Sequence, residues 1–298
     1  MLMNRRQMFG ATSLLALTSP AAAWSSDEQN GREWLAPPAL RAGDTVMFVA
    51  PAGPVEADKV GRARKVFEAQ GLQVIVPPGL ASRRKGYLAG DDSERLQELN
   101  SAIADPDVAG VFPIRGGYGM TRILDRIDYE ELRKQPKIVA GFSDITALQL
   151  AIAKKSRVIS FHSPMPQYNL YDKDPNLAEV TNSFWDTLLH ERYSLDAEGY
   201  EVKIPAQWPS PKVLVGGTAK GRLTGGNLTL INATLGTPFQ IDARDSILFF
   251  EDVDEAPYRI DRYLSQLRLA GILDEVSGVV VGTLTGAREK ESQAQGDC

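Results

Sequence analysis

The stretch Lys137-Ile138-Val139-Ala140-Gly141-Phe142-Ser143-Asp144-Ile145-Thr146-Ala147-Leu148 decides how the rest of the chain is read. Residues 137–140 are a short, mostly apolar run. Beyond the turn, Ile145, Leu148 and Ile152 recur at i, i+3 and i+7, the spacing of one buried helix face. The pattern reads as strand, sharp turn, helix. Such a turn lifts a serine hydroxyl above the end of a sheet, with the next backbone N–H groups and the positive helix end aimed at the same place. An oxyanion forming there is stabilised. Ser143 or Asp144 acting only as a helix cap accounts for the same residues, so both readings stand at this point.

Outward from this turn, short apolar runs alternate with amphipathic ones. Leu40-Arg41-Ala42-Gly43-Asp44 is a turn feeding a buried strand over 45–50 that ends in Pro51-Ala52-Gly53. A helix is predicted over 56–70, with Val60, Ala63, Val66 and Phe67 on one face and Gly71 closing it before the strand Val74-Ile75-Val76. Residues 85–92 form a loop whose aspartates, with Ser93, cap a helix through Leu96, Leu99 and Ile103. Residues 109–114 read as a strand delivering Arg115-Gly116-Gly117-Tyr118-Gly119 into a helix that starts near Met120. The alternation predicts an α/β, Rossmann-like parallel sheet with helices on both faces. Ligands bind at the carboxyl ends of such strands, where the glycine-rich loop falls, although a plain tight turn also explains its glycines. The spacing is not G-x-G-x-x-G, which argues against a dinucleotide.

Downstream, residues 158–164 are another strand ending at a turn, with His162 placed either as a base for Ser143 or as a structural hydrogen-bonding residue. His190 closes an amphipathic helix carrying Val180, Phe184 and Leu188, where a cation suits the helix dipole. Composition changes over 168–211, the expected linker. Strands are then predicted at 213–215, 221–223, 246–251 and 279–282 around a turn-rich Gly225-Gly226-Asn227. A helix over 257–269 turns Ile260, Tyr263, Leu264 and Leu267 inward. This second part, 212–286, is smaller and β-rich. The polar residues 287–298 have no apolar period and are expected to be disordered.

A length of 298 residues, 43% of them hydrophobic, supports two domains. The formal charge of −5 argues against sequence-unspecific nucleic-acid binding. The single cysteine, Cys298, excludes a disulfide within the chain. Residues 1–23 read as an address: Arg5-Arg6, a mild apolar run, then small residues at Ala21 and Ala23 that suit signal cleavage. The adjacent arginines resemble a twin-arginine signal, which predicts a periplasmic protein without a stable membrane anchor. The apolar run falls short of the roughly 20 residues a spanning helix needs. Residues 24–39 are expected to be loose, and the nucleophile domain to run from 40 to 167.

Taken together, seven stretches resemble the LD-carboxypeptidase family of serine peptidases, the muramoyltetrapeptide carboxypeptidases, which includes the microcin-immunity peptidases. They are the run from Gly43-Asp44 to Pro51; Gly86-Tyr87-Leu88-Ala89-Gly90-Asp91; Arg115-Gly116-Gly117-Tyr118-Gly119; the Ser143 turn; Gly225-Gly226-Asn227-Leu228; Gly236-Thr237-Pro238; and Phe250-Glu251-Asp252-Val253 with the following Pro257-Tyr258-Arg259. The resemblance implies an N-terminal α/β domain with a swivelling C-terminal domain. It implies Ser143 as nucleophile, the backbone N–H groups of Gly117 and Asp144 as the oxyanion hole, and Glu251 as the acid that orients a histidine. Arg115, Gly116 and Tyr118 would form a substrate loop. The implied substrate is a murein tetrapeptide, cleaved between an L-centre and the terminal D-alanine, with no metal or cofactor and with a homodimer as the assembly. In the family that histidine follows the glutamate by several tens of residues, whereas neither His162 nor His190 lies beyond Glu251. The expectations are therefore an incomplete C-terminal domain and impaired hydrolysis, with a non-catalytic peptidoglycan-peptide binding protein as the alternative.

Overall fold

The computed structural model describes residues 32–167, 170, 175–190, 204, 208 and 210–288. The expected signal segment, most of the linker and the tail beyond residue 288 lie outside the described residues. Among those described, no helix is long and apolar enough to cross a membrane.

Five strands, β1 (Thr45–Val49), β2 (Gln73–Ile75), β3 (Val108–Pro113), β4 (Ile138–Gly141) and β5 (Phe161–His162), form a parallel sheet in the order β2-β1-β3-β4-β5. Its apolar residues do not alternate with polar ones, because both faces are covered. Along β1, Met47 and Val49 join one core with Leu99, Ile103, Leu148 and Ile152, while Val46 and Phe48 join the other with Phe67, Phe112 and Trp185. The second core is aromatic: Phe67 meets the rings of Phe48, Phe112, Phe184 and Trp185 edge-on at 4.9–6.3 Å. The helices over these cores are α1 (Ala57–Glu68), α2 (Asp92–Ala104), α3 (Tyr129–Lys134), α4 (Ile145–Lys155) and α5 (Pro175–Leu189). A capping box between Asp91 and Glu94 starts α2. The strand order reverses between β1 and β3, which opens a crevice at their carboxyl ends.

A second, three-stranded sheet, β6 (Arg222–Asn227), β7 (Ser246–Val253) and β8 (Gly278–Thr285), is also parallel. It packs Leu248 and Phe250 against α6 (Leu228–Ala233), α7 (Pro257–Leu269) and α8 (Ile272–Glu275) through Leu228, Ile231, Ile260, Leu267 and Ile272. Leu150 of α4 enters the same cluster. A helix packed on the first sheet thus reaches into the core of the second.

Four expectations need correction. Residues 33–39, expected loose, are tied down: the Leu35 N–H donates to the Arg157 carbonyl at 2.8 Å, and the Leu35 carbonyl accepts from Ile159 at 2.9 Å. Residues 213–215 form no strand; Val213, Leu214 and Val215 are exposed and pair with no neighbouring strand. The helix expected near Met120 is two 3₁₀ turns, Met120–Arg122 and Leu124–Arg126. Gly225 and Gly226, read as a turn, lie inside β6. A Cβ on Gly225 would sit 1.7 Å from the Phe249 carbonyl oxygen, so glycine here serves close strand approach.

Candidate active site

Between the end of β4 at Gly141 and the start of α4 at Ile145, the chain reverses in three residues. The turn is closed by Ile145 N–H donating to the Phe142 carbonyl (3.2 Å) and Thr146 N–H to the Ser143 carbonyl (2.9 Å). Ser143 has φ of 59°, in the left-handed region that non-glycine residues seldom occupy. Such strain persists only where the surroundings over-determine it, and it gathers at functional sites. Here the constraint comes from the glycine-rich loop. A Cβ on Gly116 would lie 3.0 Å from the Ser143 Oγ and 3.3 Å from the Asp144 nitrogen, so a larger residue would push against the hydroxyl. Gly117 and Gly119 have φ of 120° and 138°, which requires glycine. Among the described residues, neither the Gly117 nor the Asp144 N–H has a protein acceptor. The arrangement therefore sets the Ser143 hydroxyl against Gly116 at a helix N-terminus, with the Asp144 N–H close by.

Two buried side chains hold the loop in place. Asp144 Oδ2 accepts from the Met120 N–H at 2.9 Å, which fixes the far end of the glycine-rich loop to the Ser143 turn. Burial pushes the Asp144 carboxyl above its ordinary range, and the Met120 hydrogen bond and the Arg95 charge oppose that shift. Arg95 is fully buried and donates to the Gly119 carbonyl at 3.0 Å and to the Pro51 carbonyl, while pairing with Asp92 at 2.5 Å. It joins the loops after β1 and β3 to the start of α2. Arg115 extends over the β1 loop, with Nε donating to the Gly116 carbonyl and Nη1 to the Pro54 carbonyl, both at 3.2 Å. Tyr118 and Tyr87 are exposed and meet edge-on, 5.5 Å between ring centroids.

Glu251 approaches from the second sheet. It pairs in register with Asn227, whose N–H donates to the Thr146 Oγ1 at 3.0 Å, and Thr146 in turn donates to the Ser143 carbonyl. Asp252, beside it, is fully engaged by Asn227, Val253 and Thr229 and serves the fold. Glu251 Oε1 lies 3.8 Å from His162 Nε2, too far for a hydrogen bond. Among the described residues, neither Glu251 Oε1 nor His162 Nδ1, both buried, has a hydrogen-bond partner. Burial, with the Asp252 charge adding, pushes the Glu251 carboxyl up to about 7, against a hydrogen bond from Asn227. Burial presses His162 down to about 4. Gly141 and His162 are register partners, so His162 stands beside the Ser143 strand, with its ring 5.2 Å from that of Phe249. His190 is exposed at the end of α5, 3.2 Å from Asp186.

The structure thus gathers Ser143, Gly116, Gly117, Asp144 and Arg115 at one place and links Glu251 to them through Asn227 and Thr146. Sequence reasoning missed Arg95 and the Asn227–Thr146 contact. Arg95 carried a signal, because it falls in the buried stripe with Leu99, Ala102 and Ile103.

Comparison with known proteins shows the family to which this fold belongs. The profile of the LD-carboxypeptidase N-terminal domain matches residues 46–163, and that of the C-terminal domain matches residues 220–297. The chain belongs to the LD-carboxypeptidase family. These are serine peptidases of carboxypeptidase type. Among relatives, a probable murein peptide carboxypeptidase of Bacillus subtilis is 41% identical over 247 residues, 82% of this chain and 73% of that protein. The crystal structure of a muramoyltetrapeptide carboxypeptidase from Oxalobacter formigenes superposes with a TM-score of 0.70 at 32% identity, covering 85% of this chain and 81% of that one. The microcin C7 self-immunity protein MccF, in complex with aspartyl sulfamoyl adenosine, gives a TM-score of 0.76 at 25% identity, covering 88% and 84%. The family's parallel-sheet α/β fold with a second small sheet is the fold described above, and the likeness supports a carboxypeptidase-like activity.

Proposed function

We propose that this protein is a serine LD-carboxypeptidase that removes the terminal D-alanine from murein tetrapeptides, with Ser143 as the nucleophile. The observation that carries the reading is the strained Ser143 turn, pressed against Gly116 of the glycine-rich loop, with Gly117 and Asp144 N–H groups that have no protein acceptor among the described residues. In this reading Ser143 Oγ bonds to the scissile carbonyl carbon, and the two N–H groups hold the oxyanion. The C–N bond then breaks and D-alanine leaves as the amine, carrying the proton taken from the serine. Water next attacks the acyl ester, releasing the tripeptide carboxylate and restoring the hydroxyl.

Glu251 is proposed as the acid that orients the base. A serine needs such a base, since its hydroxyl is almost never ionised at neutral pH. His162, pressed to about 4 and out of hydrogen-bond reach of Glu251, is a poor one. We therefore propose that His162 is not the base that activates Ser143. Liquid chromatography of a murein tetrapeptide digest tests this. D-alanine release that vanishes in Ser143→Ala and persists in His162→Gln supports the assignment, and release unchanged in Ser143→Ala overturns it.

The two unpartnered atoms of Glu251 and His162 favour a second reading, peptide capture without hydrolysis. Calorimetry showing tetrapeptide binding in a chain that releases no D-alanine decides for it. We also propose export to the periplasm, supported by the paired Arg5-Arg6 and the small residues before Ala23. Fractionation of cells expressing the full chain, with and without Arg5→Lys and Arg6→Lys, tests that.

A further inference from the structure

The proposed nucleophile and the proposed acid stand on different sheets, so contacts that cross between the sheets set their relative placement. Misplacing a catalytic group by about 1 Å costs on the order of 10²-fold in rate. Thr146 makes such a crossing contact from the first turn of α4. Its N–H donates to the Ser143 carbonyl at 2.9 Å, which makes its backbone part of the nucleophile turn. Its Oγ1 accepts from the Asn227 N–H at 3.0 Å, and Asn227 is the register partner of Glu251. One side chain thus ties the turn to the end of β6 beside the acid. The approach is close: a Cβ on Gly226 would lie 2.7 Å from Thr146 Oγ1 and Cγ2, at a φ of 132°. Glycine there lets the threonine in. Asn227 is itself fixed, with Nδ2 donating to Asp252 Oδ1 at 3.0 Å and Oδ1 accepting from the Leu230 N–H at 3.2 Å. Thr146 is completely buried, as are Ile145 and Ala147 on either side of it. Packing alone would be met there by valine, which has the same shape, and a buried hydroxyl is costly unless hydrogen-bonded. The hydroxyl is therefore accounted for by its contact with Asn227.

We infer that Thr146 is a positioning residue, whose hydroxyl keeps the strand end carrying Glu251 in register with the Ser143 turn. The inference rests on the carboxypeptidase reading above. Two measurements test it: D-alanine release from a murein tetrapeptide, and a carboxyl-carbon NMR titration of Glu251, assigned with Glu251→Gln. The second does not depend on turnover. Thr146→Val keeps the packing against Gly226 and removes the acceptor for the Asn227 N–H. It is expected to lower kcat about tenfold or more with KM unchanged, whereas Thr146→Ser keeps most of the parent rate. In a Glu251→Gln background Thr146→Val is expected to cost little more, because residues that act as a unit are not additive. In the titration Glu251 is expected near 7 in the parent and in Thr146→Ser. In Thr146→Val it is expected closer to its ordinary 4.5, as the loosened strand end admits water, while its charged neighbour Asp252 and His162 stay the same. A parent-like kcat in Thr146→Val, a loss that adds in full to that of Glu251→Gln, or one Glu251 titration shared by all three chains overturns the assignment and leaves the carboxypeptidase reading standing. If Thr146→Val does not fold, Thr146→Ser against Thr146→Ala carries the test, and Thr146→Ser performing no better than Thr146→Ala overturns it. A parent that releases no D-alanine overturns the carboxypeptidase reading instead, and the titration then decides on Thr146.

Discussion

The two halves of the site are built to different standards. Around Ser143, the strained turn is closed by two backbone hydrogen bonds, and the glycine-rich loop is held by Asp144 and by fully buried Arg95. Around Glu251, the carboxylate and the nearest histidine face each other at 3.8 Å, each with a buried polar atom unpartnered among the described residues. Buried polar groups are ordinarily satisfied, so the unpartnered pair sets this half apart from the other. The Ser143 half is held by hydrogen bonds from several directions, and the Glu251 half is less fully satisfied among the described residues. Several contacts join them, among them Asn227 to Thr146, the His162 ring against Phe249, and Leu150 within the second core.

The largest expected effect comes from forcing the acid half apart. Gly225→Ala would place a methyl 1.7 Å from the Phe249 carbonyl oxygen, at a φ of 145° that alanine does not adopt. No rotamer relieves a clash with backbone, so β6 must leave β7. Roughly 3 kcal/mol or more of destabilisation is expected, read as a lowered urea midpoint. A midpoint within error of the parent would mean that the sheet tolerates separation and that the contrast between the halves is misdrawn.

Much of this contrast was visible in the sequence, for local reasons. The apolar runs at 45–50 and 109–114 and the i, i+3, i+7 spacing after Ser143 report burial directly, so the parallel sheet could be read. The Asp91 cap and the glycine-rich loop were equally local. Gly225 was misread because a glycine needed for close strand approach and one needed for a turn look the same in one dimension. The 3₁₀ turns after Met120 were missed since Met120, Ile123, Leu124 and Ile127 are all buried, a spacing an α-helix shares. The approach of His162 to Glu251 joins residues far apart in the chain, and no spacing rule encodes it.

A smaller effect is expected on the nucleophile side from Asp144→Ala, which removes the acceptor for the Met120 N–H. A buried donor left unsatisfied costs about 1–3 kcal/mol. The low end is expected, because burial already makes the Asp144 carboxylate costly. Asp144→Asn keeps an acceptor and is expected to lose less. Loosening the loop should weaken tetrapeptide binding more than it lowers the melting temperature, whereas equal losses would reduce Asp144 to an ordinary core residue.

The finest test reads the unpartnered pair by pH. Glu251 has a folded value of about 7 against an ordinary 4.5, so the fold binds this proton more tightly than the unfolded chain. Its contribution to stability is full below pH 4.5 and is lost as pH rises through about 7. His162, at about 4 against 6.5, behaves oppositely: its contribution is full above pH 6.5 and is lost as pH falls through about 4. Glu251→Gln removes the first trend and leaves the second. The variant is expected to melt above the parent at pH 8, with the difference shrinking to zero near pH 4.5. If the two groups instead formed a true ion pair, parent stability would peak between pH 5 and 7 and the variant would melt below it there. Melting curves across that window decide whether Glu251 is already partnered or still lacks the base it is proposed to orient.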